Sequence, residues 1–429
     1  MRNMNDATAY PSNGVEVIKA EGVWLINSKG EYILDGCAGT FNVGLGYAHS
    51  EITQAIFQQA NTGLLHGSGT LNLNVVRQAE NALVSIAPPS LNRCHLKGST
   101  GGSTAVEQAL RHAWAVTGKT AIVSFINGHH GQTIASTLAS GMHFRKERLL
   151  KTVSFPIVQV DFPDCYRCPF GKTPEKCGLE CEKEIIDIID TTINKEKIEI
   201  AAFLAEPILG AGGGITPPIK FWQQLSENLN KRSIPLIFDE VQTFGRTGHF
   251  FAANYYGVTP TMIAIAKAIS GIGMPGAAAL LLPENYCVLY PGEDSLTWGG
   301  SAIVSSAIYT TIEVMRRPLF FEHVKSVSEL LNLKLEEIAR KYDCIGCVRG
   351  TGLMTGIEVV ESKISKVPAP SLATQIIKAS QQSKLILRQS LYGKGSFIKV
   401  RPALVIDHTE VEELSSRLDW SINQTLANI

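Results

Sequence analysis

An excess of charge of either sign is missing from this chain. Thirty-nine Lys and Arg stand against 39 Asp and Glu, so nothing in the net charge suggests a surface for nucleic acid or an anionic membrane. No apolar run approaches the roughly 18 residues of a membrane span. The first residues, MRNMNDATAYPSNG, lack the charged-then-apolar order of a secretory signal, so a cytoplasmic location is expected. Internal repeats, low-complexity tracts and Pro/Ser-rich linkers are absent as well. The nine cysteines are an odd number in a long chain, which argues for reduced thiols rather than a disulfide framework. Small molecules are the expected partners.

What is present is material for a large core. The chain has 429 residues, 45% hydrophobic and 18% charged, more than the roughly 250–300 residues at which one core stops growing. TAIVSFI (120–126), IAAFLA (200–205), PLIFD (235–239), MIAIA (262–266) and AAALLL before Pro283 are short, nearly continuous apolar runs. Strands covered on both faces need that pattern. Between them lie helical stretches: in STAVEQALRHAWAV, Val106, Ala109, Leu110 and Ala113 follow the i, i+3, i+4, i+7 spacing. This rhythm predicts an α/β fold with a mostly parallel central sheet.

After about residue 310 the texture changes to long amphipathic helices, expected at 311–342, 371–383 and 408–427, around a few short strands. The expected organisation is an N-terminal segment, 1–60, contributing to a small domain, a large domain over 61–310, and the C-terminal remainder of the small domain over 311–429. GVWLINSKGEYILDG reads as two short strands around an SKG turn, free to pair with the C-terminal part.

Two apolar runs end in a single charge. IPLIFDEVQ carries Asp239, and MIAIAKAISG carries Lys267, 28 positions later. Ligands collect at the carboxyl ends of strands in open α/β sheets. A Lys in partly apolar surroundings has a lowered pKa and bonds carbonyls as a Schiff base, and an Asp beside it holds a heterocyclic nitrogen protonated. A plain strand-end salt bridge satisfies the same two residues. GSTGGSTAVEQAL runs from glycines and hydroxyls straight into a helix, an anion-binding arrangement. It is not a nucleotide P-loop, and the nearby GKT at 118–120 has Ala113 where that motif begins with Gly.

With EP (206–207), DEVQ (239–242), GRTG (245–248), AKAISG (266–271) and TWGG (297–300) in this order, the chain resembles the class III, or ω-type, aminotransferases of the fold type I pyridoxal-phosphate enzymes. The resemblance implies pyridoxal 5'-phosphate bonded to Lys267, which also shuttles a proton, and Asp239 paired with the ring nitrogen. It implies Gly102 and Ser103 at the phosphate, Val241 under the ring, and Gln242 on the phenolic oxygen. His129 stands where the family stacks an aromatic residue, and Glu206 is expected to help order the site. Thr297 is expected to reach the phosphate of a neighbouring subunit, making a homodimer with shared active sites. His130 reads as a local turn-holder. No His-x-x-x-His pattern or carboxylate accompanies the pair, so no metal is expected there.

Departures from the family concern substrate choice. Many members carry an Arg three residues before a Pro-Pro-Leu motif to hold a substrate carboxylate, and a Glu that pairs with it. Here KVRPAL puts Lys399 at the Arg position with Arg401 two residues on, and Ala211 replaces the Glu. An ammonium matches a flat carboxylate less well than a guanidinium fork. Arg145, Arg246 and Arg401 are further candidates for that grip. Cys165, Cys168, Cys177 and Cys181, spaced C-x2-C-x8-C-x3-C, read either as a zinc loop or as free thiols in an inserted loop. The expected reaction is amino transfer between a primary amine (an ω-amino acid, diamine or amino acid) and a 2-oxo acid. An amino-acid racemase built on the same residues is the alternative.

Overall fold

The computed structural model describes residues 15–67, 71–142, 146–147, 149–390 and 393–428. In chain order the described strands are β1 (Val17–Glu21), β2 (Trp24–Asn27), β3 (Tyr32–Asp35), β4 (Arg93–His95), β5 (Ala121–Phe125), β6 (Ile157–Val160), β7 (Ile200–Ala205), β8 (Leu236–Asp239), β9 (Met262–Ala266) and β10 (Ala278–Leu282). They continue with β11 (Ile345–Thr351), β12 (Met354–Val359), β13 (Leu385–Ile386), β14 (Arg388–Gln389) and β15 (Phe397–Val400).

Seven of them form one sheet in the order β4-β10-β9-β8-β7-β5-β6. The run from β9 to β6 is parallel, and β10 is antiparallel to both its neighbours. Every residue of β5, β7, β8, β9 and β10 is buried, which is why these segments carry no polar alternation. Their side chains instead divide between two cores by the period-two geometry of a strand. In β9, Ile263 and Ile265 face one side, and Met262, Ala264 and Ala266 face the other.

Helix Gly102–Thr117 covers the second side, burying Ala105, Val106, Ala109, Leu110 and Ala113, the stripe its spacing predicts. Helix Ile219–Lys231 covers the first through Phe221, Trp222, Leu225 and Leu229. Trp222 is fully buried, with its ring 4.8 Å from Phe238 and 6.0 Å from Phe125 between centroids. Its indole N–H donates to the Pro207 carbonyl at 2.9 Å, so the core holds the turn that follows β7.

The N-terminal hairpin joins C-terminal chain: β3 pairs in parallel with β13, giving a four-stranded sheet β1-β2-β3-β13 beside a second one, β11-β12-β15-β14. The long helical stretch expected at 311–342 is two helices, Ala302–Met315 and Phe320–Lys341. Pro318 breaks the pattern because it has no N–H to donate and disfavours a helical residue before it, and Leu319 takes φ 71°. The other two, Pro370–Gln382 and His408–Ala427, match the amphipathic periodicity. The latter begins with a reciprocal cap between Asp407 and Glu410.

Three distant segments meet over the strand ends. Arg401 N–H donates to Gly36 O at 2.7 Å, Leu404 N–H to Gly44 O at 2.8 Å and Leu45 N–H to Gly271 O at 2.7 Å. A Cβ on Gly44 would lie 2.9 Å from Ala268 Cβ, so glycine is what lets this crossing close. For the core, Trp222→Ala is expected to lower unfolding stability by about 3–5 kcal/mol, read as a lower urea midpoint at unchanged denaturant slope.

Candidate active site

Three neighbouring strands deliver charge to one edge. Glu206 follows β7, Asp239 ends β8, and Lys267 follows β9, with Asp239 in register with Ala264. Because parallel neighbours end on the same side, their adjacency brings together residues 61 positions apart in sequence (267 − 206). Lys267 has φ 51°, a left-handed conformation that costs a residue with a side chain about 1–3 kcal/mol and survives only where its surroundings impose it. Here the strand before it and the Ala268–Gly271 turn do so.

A cavity of about 440 Å³ opens at this edge, lined by Gly102, Ser103, His129, Glu206, Asp239, Val241, Gln242 and Lys267 together with Asn42, His130 and the 273–277 turn. Thus eight of the residues singled out from the sequence line one wall system. Thr297 is not among them: it is exposed, in a loop whose Trp298 is 68% exposed. Lys399 and Arg401 are also outside the lining.

Each charge has a specific setting. Asp239 Oδ2 lies 2.9 Å from His130 Nδ1, and Oδ1 accepts the Val241 N–H at 3.2 Å. Glu206 accepts the N–H of His129 at 2.9 Å and of Gly210 at 3.0 Å, and burial raises its carboxyl pKa. Lys267 opens into the cavity, yet desolvation lowers its ammonium pKa; Asp239 and Glu206 oppose that shift, and Arg401 and Arg246 reinforce it.

His130 was expected to bond locally. It instead reaches across 109 positions to Asp239, and only its place beside His129 after β5 hinted at the site.

Gln242 Oε1 accepts from Arg401 Nη1 at 3.1 Å, which turns its amide NH2 away from that guanidinium. Arg401 Nη2 donates to Gly210 O at 3.3 Å, so this side chain stands one hydrogen bond behind the cavity. Arg246 is fully buried and donates to the carbonyls of Leu353 and Pro402 at 3.2 and 2.9 Å, tying the loop after β8 to the C-terminal chain. Burial pushes Arg246 down to about 9 and Arg401 down to about 10. The Nζ of Lys399 lies 5.7 Å and the guanidinium of Arg401 4.9 Å from the Phe41 ring, and burial first, then Arg401, pushes Lys399 down to about 7. Arg145 lies outside the described residues.

The donor set suits a flat, anionic nitrogen heterocycle. Helix Gly102–Thr117 starts at the cavity without a side-chain cap, leaving first-turn N–H groups for a phosphate. A Cβ on Gly102 would lie 2.8 Å from Val241 Cγ1, so glycine lets the valine close beneath a ring. A carboxylate for a ring nitrogen and an amine for an aldehyde complete the set.

The four cysteines of the 165–181 loop are free. Their sulfurs do not gather as a zinc site: among the described residues, the one group of three or more potential ligands within reach of one ion lies elsewhere. Cys177 Sγ accepts the Leu179 N–H at 3.3 Å, serving the start of helix Glu180–Asn194. No described helix is long and apolar enough to cross a membrane.

The chain belongs to the class III aminotransferases, whose family model matches residues 7–422. It is 32% identical over 421 residues to the diaminobutyrate–2-oxoglutarate aminotransferase of Haemophilus influenzae, covering 95% of this chain and 90% of that protein. It is 28% identical to the leucine/methionine racemase of Thermococcus litoralis, covering 95% and 90%. The ω-transaminase of Pseudomonas jessenii in complex with PMP has the same fold, with a TM-score of 0.87 at 22% identity over 97% of this chain and 93% of that one. Class III aminotransferases are pyridoxal-phosphate enzymes, and pyridoxal phosphate is the cofactor of this one.

The Lys399 setting has a measurable consequence. Its folded pKa lies below the unfolded value of about 10.4, so between about pH 7 and 10 the unfolded chain holds the extra proton and stability rises with pH. Lys399→Met is therefore expected to raise Tm most below pH 7, with the gain shrinking as pH approaches 10.

Proposed function

We propose that this enzyme is a transaminase moving an amino group between a primary amine and a 2-oxo acid, with Lys267 as the reacting amine. The observation that carries this reading is the convergence of Lys267, the Asp239–His130 pair and an uncapped helix start on one cavity. Bound pyridoxal phosphate supplies an aldehyde for the incoming amine and a ring that withdraws electrons from the reacting carbon.

The chain's own residues have the following roles. The first-turn N–H groups at Gly102 and Ser103 hold the phosphate. Val241 and His129 enclose the ring, and Gln242 donates to its phenolic oxygen. Asp239, oriented by His130, keeps the ring nitrogen protonated. Glu206 braces the turns at His129 and Gly210. Lys267 Nζ is the attachment point, and once displaced it takes the proton from the substrate carbon and returns it; its lowered pKa increases the unprotonated fraction available for that task.

The amine is a terminal one, as in a diamine, ω-amino acid or amino acid, a reading supported by the diaminobutyrate relative. Lys399 and Arg401 form the basic reserve for a substrate carboxylate, with Ala211 leaving them free of the acidic partner many members have. Exposed Val288, Tyr290, Leu296 and Trp298 around Thr297 support a homodimer in which Thr297 completes the neighbour's phosphate site. Pairing of β3 with β13 supports a small domain built from 1–60 and 311–429 around a large domain over 61–310. Racemase relatives keep a second reading in view, in which the proton returns to the opposite face of the same carbon.

The holoenzyme mixed with L-glutamate and no acceptor distinguishes these outcomes. Conversion of the visible band to the pyridoxamine spectrum, with 2-oxoglutarate released in equal amount, supports transamination with glutamate as donor; an unchanged band excludes glutamate and moves the test to diamines with pyruvate. D-amino acid accumulating catalytically from an L-amino acid without any 2-oxo acid overturns the transaminase reading. Lys267→Ala is expected to remove the lysine-bound band and to lower kcat by at least about 1000-fold.

A further inference from the structure

Outside the cavity, His95 on β4, His112 on helix Gly102–Thr117 and Asp294 in the loop after β10 bring their ligand atoms within 4.8 Å of one another. Asp294 Oδ2 lies 3.1 Å from His95 Nδ1 and 3.3 Å from His112 Nε2. We propose that these three side chains form a binding site for a divalent transition-metal ion that clips the 287–298 loop to the base of the phosphate-binding element.

Tautomer logic comes first. His112 Nδ1 lies 2.8 Å from the Tyr286 carbonyl, which can only accept, so Nδ1 carries a hydrogen and Nε2, which faces Asp294, is the nitrogen placed to bind an ion. A backbone carbonyl holding the far ring nitrogen is how metal-bound histidines are oriented. His112 is 3% exposed, and its Nε2 and His95 Nδ1 face Asp294 without a well-formed hydrogen bond. Two imidazole nitrogens and a carboxylate oxygen thus converge on one point, a set that binds a cation once the ring nitrogens facing it give up any proton as the metal binds.

The distances fit the same reading. Ligands about 2.0–2.1 Å from an ion at the centre of a tetrahedron stand about 3.3 Å apart, close to both observed N···O separations. Two imidazoles and one carboxylate suit zinc and its first-row neighbours rather than calcium or magnesium.

The placement gives the site a purpose. His95 is seven residues before Gly102, and His112 is on the helix that Gly102 begins. Asp294 is three residues before Thr297, and in the same loop Leu296 N–H donates to Lys97 O at 2.9 Å. An ion there pins the loop that presents Thr297, a consequence that rests on the proposed role of that threonine, whereas the site itself does not.

The test uses purified holoenzyme prepared without chelator, with its metal content measured, then stripped with EDTA and titrated with Zn2+ or Co2+ alone. Expected are about one ion per chain, a visible ligand-field spectrum with Co2+, and a Tm increase of about 3–5 °C on saturation. Asp294→Asn and, separately, His112→Gln are expected to lose the ion and the Tm response while keeping the cofactor's visible band. Wild-type protein that takes up no ion from micromolar Zn2+, or variants that retain metal like wild type, would falsify the site. Cofactor binding is read separately, so loss of the metal reading leaves the transaminase reading untouched.

Discussion

An ammonium and two carboxylates at the buried ends of three adjacent strands persist only as a set. Moving one ionised group into an apolar interior costs far more than a protein's net stability, so each must be held by partners that arrive with the fold. Glu206 has two backbone N–H donors from turns on either side. Asp239 has His130 and the Val241 N–H. Lys267 has both carboxylates nearby and an open cavity before it. The parallel order of β7, β8 and β9 supplies this arrangement, since only parallel neighbours present successive carboxyl ends on one edge.

Behind that edge lies a layer of cations that the C-terminal chain brings in. Arg246, Lys399 and Arg401 surround Phe41, and their guanidinium and ammonium groups all feel the same desolvation. Arg246 donates through Nη1 to backbone carbonyls, while Arg401 addresses Gln242 and so couples this layer to the cavity. The closure depends on backbone crossing at close range. Gly44 against Ala268 and the Arg401 to Gly36 hydrogen bond leave no space for a bulkier residue.

The strands were readable because both faces are buried, so apolarity ran unbroken through IAAFLA, PLIFD and MIAIA. Val106, Ala109, Leu110 and Ala113 were readable because one helix face meets the sheet and the other does not. The stretch at 311–342 reads as a single helix because its apolar period continues across Pro318, and period alone does not register a lost N–H. His130 reads as a local contact for another reason. Local sequence offers a histidine nearby turn partners, whereas its actual partner, Asp239, comes from a strand two positions away in the sheet.

Local chemistry determined which residue types end the strands, where glycines and hydroxyls open a helix, and the ordered motifs that mark the class III family. Those properties depend on neighbours within a few positions, and a linear sequence records them fully. Only tertiary structure decided that Asp239 faces His130, that Arg401 stands behind Gln242, and that His95, His112 and Asp294 converge. Each of these joins elements 100 or more residues apart, except the His95–His112 pair, which a strand and a helix bring together. Such contacts follow from strand order and helix packing, and periodicity carries no information about either.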